Sequence, residues 1–327
     1  MHDIGHWALD AAVSGGAGYA DVRVGEQRHR SLVTKNGKLG HAADSESQAV
    51  GVRVLLDGAW GFASTDDCGR SAVIATALRA LAIARASARV KQANVRLAPE
   101  AAHRAVWVAP CARDPFASSV DDNLALLLKV DQELRAVKGV TLAEAQMNFV
   151  RQRQLFLSSE GADIDQMRVL TGAGYSALAF ANGDIQKRSY PNSFGGQYQL
   201  KGYELIEELR LVESARRIGE EAVALHQAEQ CPQTVDTLIL GSSQLGLQVH
   251  ESIGHPIELD RVLGTEANFA GMSFLTLDQL GKLRYGSPAV NVIADARLAH
   301  GPGLGTFAFD DEGVEAQRTD IIRAGEF

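Results

Sequence analysis

The sequence predicts an α+β fold: a duplicated unit of antiparallel sheet plus long helix, then the start of a β-rich domain carrying a histidine-bearing helix. Three observations lead there. Asn-Gly and Asp-Gly dipeptides recur between apolar runs in two stretches of similar layout, and such dipeptides tolerate the positive φ angles of tight hairpins. Each stretch is followed by a long helical pattern. Past residue 231 the layout changes, and a helix runs into the sequence HESIGH.

The 327 residues suffice for about two domains, taken as 1–231 and 232–327. At the N-terminus, Asp3 reads as a helix N-cap and Gly15-Gly16 as its stop. His2 and His6 then fall on the surface of a first helix. The stretch RSLVTKNGKLGHAADSESQAVGVRVLLDGAWGFAS reads as four strands with turns at Asn36-Gly37 and Asp57-Gly58. After it, Val73, Ala77, Leu81 and Ala84 recur at helical spacing. A third helix, DDNLALLLKVDQELRAV, begins with carboxylates that suit the helix dipole. The stretch RQLFLSSEGADIDQMRVLTGAGYSALAFANGDIQKRS then repeats the first layout, with turns at Glu160-Gly161 and Asn182-Gly183. One long helix is expected after it, with Leu205, Leu209, Val212 and Ala215 on its buried face.

Pro232 ends that helix. VDTLILG reads as a short strand, Ser242 and Ser243 as caps of the next helix, and AVNVIADA and GTFAFDDEG as strands joined by Gly-rich turns. A strand-and-turn pattern, TDIIRAGEF, closes the sequence.

Composition narrows the function classes. The net charge of -8 leaves no basic footprint for direct nucleic-acid binding. Three scattered cysteines, Cys68, Cys111 and Cys231, argue for a reducing compartment and against a disulfide framework. No basic leader, long apolar leader or membrane-length segment is expected, which points to a cytoplasmic protein without a membrane partner.

The chemistry concentrates in LQVHESIGHPIELD, residues 247–260. Two imidazoles can ligate zinc while a nearby carboxylate moves a proton. The familiar spacing is H-E-x-x-H, but His255 comes one residue later than that. Histidines five apart are offset by about 140° on an ideal helix, against about 40° for four apart. Either a widened turn or termination of the helix near Gly254 would bring His250 and His255 together; Gly254 and Pro256 make irregular backbone plausible.

HESIGHPIELDRVLG followed by FAGMSFL resembles the TldD/PmbA family of metallopeptidases, once called modulators of DNA gyrase. GYADVRV, GVRVLLDGAWGFAST, LFLSSEGADIDQ and GTFAFDDEGVEAQRTDII extend the resemblance over nearly the whole chain. The intact H-E-x-x-x-H places it on the TldD side. The resemblance implies His250 and His255 as ligands of Zn2+ and Glu251 as general base. It implies an active site between the two domains that takes unfolded peptide as an extended strand, in a protein that works with a TldE/PmbA-like partner or as a homo-oligomer. The family's third zinc ligand is a cysteine in the far C-terminal region. None of the three cysteines here stands in the matching context, so the chain reads as truncated and its C-terminal domain as incomplete. A non-catalytic peptide- or partner-binding protein is the alternative that follows. Glu258 and Asp260 are further oxygen donors, with helix-end hydrogen bonding or pairing with Arg261 as their ordinary roles.

Other motifs read as structure first. FDDEG at 309–313 is a solvated turn before it is a cation site. SFGGQYQ, with Gly195 and Gly196, and GPGLG at 301–305 are loops that could line a substrate cleft. Arg188 and Tyr190 are sheet-surface residues within reach of a peptide.

Overall fold

The computed structural model describes residues 1–193, 195–297 and 303–327. It divides into two compact units. One comprises Met1–Gln227 with Ala296–Ala316, the other Ala228–Asp295 with Gln317–Phe327. Part of each of the two glycine loops expected from the sequence, at position 194 and at 301–302, lies outside the described residues.

The first unit is built on one eight-stranded sheet. In its first half, β1 (Tyr19–Lys35) turns at Asn36-Gly37 into β2 (Lys38–Leu56), which turns at Asp57-Gly58 into β3 (Ala59–Thr65). Both residues of each turn have positive φ, which is the type I′ geometry those dipeptides favour. Where four strands were expected there are three, because β2 runs unbroken. A short β4 (Arg104–Val108) follows. The second half repeats the pattern with β5 (Val140–Ser158), β6 (Asp163–Ala181) and β7 (Asp184–Tyr190), the last turn again I′ at Asn182-Gly183. Strand lengths of 17, 19 and 7 residues in one half answer 19, 19 and 7 in the other. The halves join through antiparallel β1 and β5, with Arg28 opposite Arg151 near the middle of the seam. The order is β3-β2-β1-β5-β6-β4; β7 and β8 (Gln197–Gln199) also pair with β6, and β4 is the parallel strand.

Alternation along the strands sends one set of side chains into the helix layer. Val22, Val24, Val50, Val52, Val54, Leu155 and Leu157 meet α1 (His2–Ser14) and α2 (Arg70–Ala88). Ala145, Met147, Phe149, Ala173 and Ala177 meet α3 (Val120–Arg135), α4 (Glu204–Glu208) and α5 (Leu211–Ala224). Ser119 caps α3, accepting from the Asp122 N–H at 2.9 Å. Helix α2 has the length and hydropathy of a membrane span, contrary to the sequence expectation. Its Val73, Ala77, Ala80, Leu81 and Ala84 are nonetheless buried on the sheet, the packing of a core helix. The fit is close: a Cβ on Gly61 of β3 would lie 2.0 Å from the Ala80 carbonyl oxygen.

The single long helix expected after β7 breaks at Arg210, whose φ is 47°. Leu209 and Leu211 both enter the core. On a continuous helix they would point about 200° apart, and the left-handed residue between them removes that conflict. Leu211 thereby takes the buried place expected for Val212, which packs at the margin. At the N-terminus, Met1 is the cap position of α1 and Asp3 lies in its first turn.

The opposite face of the sheet carries polar side chains and receives the returning segment 303–316. Asp21, fully buried, accepts from Arg23 at 2.7 Å and from Arg53 at 2.9 and 2.7 Å. Arg23 also donates to the Asp311 carbonyl, and Arg53 to Glu312 at 2.7 Å. Burial disfavours the Arg53 cation, but the Asp21 and Glu312 carboxylates overcome this and raise its pKa. GTFAFDDEG, expected as a strand, forms none, and its FDDEG end is the turn expected there: Asp310 accepts from the N–H groups of Glu312 and Val314, and Phe309 bridges to Glu315.

The second unit contains α6 (Ser242–Val249), short helical turns at Leu259–Val262 and Ala267–Ala270, and a two-stranded antiparallel sheet of β9 (Val292–Asp295) and β10 (Arg318–Ile322). Ile253, Pro256, Leu275 and Ile322 are its buried apolar residues. VDTLILG, expected as a strand, pairs with no strand among the described residues, and its Val235, Leu238 and Ile239 are exposed.

Candidate metal centre

Helix α6 does not end at His250. It widens into a π-turn over His250–Gly254, closed by a hydrogen bond from the His255 N–H to the His250 carbonyl at 3.0 Å. That bond spans five residues, so about one turn separates the two histidines. Their rings meet edge to face, with centroids 4.3 Å apart. Of the two routes open to the sequence, the widened turn is the one taken. Glycine does not force it. Gly254 has no positive φ, and a Cβ there would make only ordinary contacts at 3.9 Å. Pro256 follows and has no N–H with which to extend the ladder. Ile253, 3% exposed, anchors the turn from its buried side.

Ligand-capable atoms of His250, Glu251 and His255 all lie within 4.8 Å of one another. His250 Nε2 and Glu251 Oε1 are 3.9 Å apart. His250 and Glu251 are exposed, while His255 is half-buried. Glu258 does not join the cluster. One of its oxygens lies 2.8 Å from His255 Nδ1; the other lies 2.8 Å from Arg261 Nε in an ion-pair contact without hydrogen-bond alignment. A carboxylate on Nδ1 fixes the imidazole so that Nε2 is left for a metal. The sequence offered Glu258 as an extra oxygen donor, a helix-end hydrogen-bonding residue or an Arg261 partner. Its place three residues after His255, on the same side of a helical turn, was the signal for this orienting contact. Asp260 lies in the first turn of Leu259–Val262 and accepts from the Arg261 N–H at 2.9 Å.

The donor set suits zinc as far as it goes, with two imidazole nitrogens and an adjacent carboxylate. Among the described residues no cysteine joins it. The Cys68 and Cys111 thiols belong to the first unit, where burial, then nearby carboxylates, pushes both pKa values up. Cys231 is exposed. Arg188 and Tyr190 serve the sheet unit: Arg188 pairs with Glu221 at 2.6 Å, and the Tyr190 hydroxyl donates to the Leu209 carbonyl at 2.8 Å.

Family models match in succession along the chain: PmbA/TldA metallopeptidase domain 1 over residues 20–84, the central domain over 113–226 and the C-terminal domain over 233–327. The chain belongs to the TldD/PmbA metallopeptidase family. Among relatives in that family, a metalloprotease of Methanothermobacter thermautotrophicus is 28% identical over 307 residues, covering 94% of this chain and 63% of the relative. A metalloprotease TldD homolog of Haemophilus influenzae is 26% identical, with 94% and 61% covered. The TldD/PmbA chain described here thus spans less than two thirds of the length of these relatives. Its fold matches a Thermotoga maritima protein crystallised under the description of a modulator of a DNA gyrase, with a TM-score of 0.73 at 18% identity over 100% of this chain and 69% of that one. It also matches TldE from Thermococcus kodakarensis, with a TM-score of 0.64 at 14% identity over 98% and 67%.

Proposed function

We propose that this chain is a TldD-type zinc-dependent metallopeptidase acting on unfolded or extended polypeptide in the cytoplasm. The observation that carries the reading is the π-turn, which corrects the spacing of HESIGH and sets His250, Glu251 and His255 around one point. His250 and His255 would hold the metal, with Glu258 orienting His255. Bound zinc would act as a Lewis acid on a water and on the scissile carbonyl. Glu251 would accept the proton of the attacking water and return it to the leaving amine. Residues 1–231 would form the sheet domain and 232–327 the part of the metallopeptidase domain present here, with peptide taken up as an added strand. A TldE/PmbA-like partner or a second copy would complete the assembly.

A second reading is favoured by one feature of the cluster. It supplies two histidines and a base but no third protein ligand among the described residues. In that reading the chain binds a peptide or a partner without cutting it. Metal content per chain, with His250→Ala as control, tests the centre. About one zinc that is lost in the variant supports it, and cleavage of an unfolded polypeptide abolished by Glu251→Gln supports the enzyme. Zinc without cleavage leaves the binding protein.

A further inference from the structure

A groove of about 550 Å3, within the range of ligand sites, lies on the open face of the sheet in the first unit. Its lining includes Gln27, Gln152, Gln154, Gln166, Arg168 and Phe307, and none of the metal-centre residues. Strand register gathers these side chains. Gln27 faces Gln152 across the β1–β5 seam, while Gln154 faces Gln166 and Gln152 faces Arg168 across β5 and β6.

Gln166 shows what a carboxamide does here. Its Nε2 donates to the Phe309 carbonyl at 2.9 Å, and its Oε1 accepts from the N–H groups of Phe309 at 2.9 Å and Ala308 at 3.2 Å. The side chain pairs with a peptide unit as a neighbouring strand would. Gln154 is taken up by Asp311 at 3.1 Å. Gln27 and Gln152 touch each other only at 3.5 Å, and each amide keeps hydrogen-bonding capacity for the groove. Arg168 donates to Gln152 Oε1 at 3.2 Å and pairs with no carboxylate among the described residues. Its planar fork matches a carboxylate.

We propose that this groove seats the end of an extended peptide, its main chain paired by Gln27 and Gln152 and its C-terminal carboxylate held by Arg168. The choice of a peptide as occupant rests on the metallopeptidase reading. Carboxamides that grip peptide units and not side chains make the site tolerant of sequence.

Binding and cleavage are separable in the Glu251→Gln chain, in which turnover is removed. The probe is a short, unstructured, fluorescently labelled peptide, as the free acid and as the C-terminal amide, read by anisotropy. The acid should bind about tenfold tighter than the amide, as one charge-assisted contact implies. Arg168→Gln should erase that difference. Gln27→Ala with Gln152→Ala should weaken both peptides, and Arg151→Gln, outside the groove, should change neither. Equal affinity for acid and amide, an undiminished difference in Arg168→Gln, or no binding at all overturns the proposal. Selective acid binding by a chain that never cleaves would sink the peptidase reading and leave the groove standing.

Discussion

The two units bury their apolar residues very differently. The first keeps two continuous clusters at or near zero exposure, one under each half of the sheet. The second leaves Ile239 at 90%, Phe269 at 93% and Met272 at 71% exposure, and buries little beyond Ile253, Leu275 and Ile322. The difference teaches that the sheet and the histidine cluster are held in place in different ways. The sheet unit is fixed by its own side chains. The unit with the histidine cluster is fixed locally, by one turn of helix and the polar contacts around it, and its apolar surface is open to other chains or to solvent.

That division can be broken by substitution. The largest effect belongs to chemistry. Glu251→Gln should retain zinc while cleavage falls about 10²–10⁴-fold, and His250→Ala should lose metal and cleavage together; neither should move the unfolding transition of the sheet unit. A shifted transition followed by circular dichroism would show that the units are not independent. Next comes the sheet unit's buried carboxylate. Asp21→Ala strands Arg23 and Arg53 and should cost about 3–5 kcal/mol in denaturant unfolding, with zinc stoichiometry unchanged. Smaller is Glu258→Gln, which should weaken zinc affinity about 10–100-fold by loosening His255, measured by competition with a chelator.

A pH titration sharpens the same contrast. The Asp44 carboxyl is held below the ordinary range chiefly by its hydrogen bond from Arg28, and Asp165 chiefly by that from Arg153. A carboxylate with a lowered folded pKa stabilises fully above its unfolded value and loses that contribution as pH falls through the folded one. The sheet unit should therefore weaken on acidification, and Asp44→Asn with Asp165→Asn should flatten the decline. Asp131 opposes this with the reverse sign, because burial outweighs the Gly37 N–H and raises its pKa. The smallest effect is expected at the surface: Phe269→Ser should reduce binding of a hydrophobic dye with little change in unfolding.

What the sequence disclosed followed the range of the interactions. Turns at Asn36-Gly37, Asp57-Gly58 and Asn182-Gly183 are decided by two residues each, and the duplication was visible through them. The need for a distorted turn between His250 and His255 was equally local, though not which distortion would supply it. Arg210 gave no sign, since no glycine or proline marks the break and only the burial of Leu209 and Leu211 demands it. The docking of 307–312 was hidden for a different reason. Its acidic turn was legible, but its partners Arg23, Arg53 and Gln166 come from the distant strands β1, β2 and β6. VDTLILG has the composition of a strand, but strands also need a neighbour, which composition does not supply.

The seam between β1 and β5 has a consequence for the order of folding. Each hairpin pairs residues close in sequence, whereas the seam joins Asp21 to Ser158 and Lys35 to Glu144. Closing so long a loop costs chain entropy that the hairpins do not incur. The two halves should therefore assemble separately and meet late, much as two subunits would, with the chain between them keeping their effective concentration high.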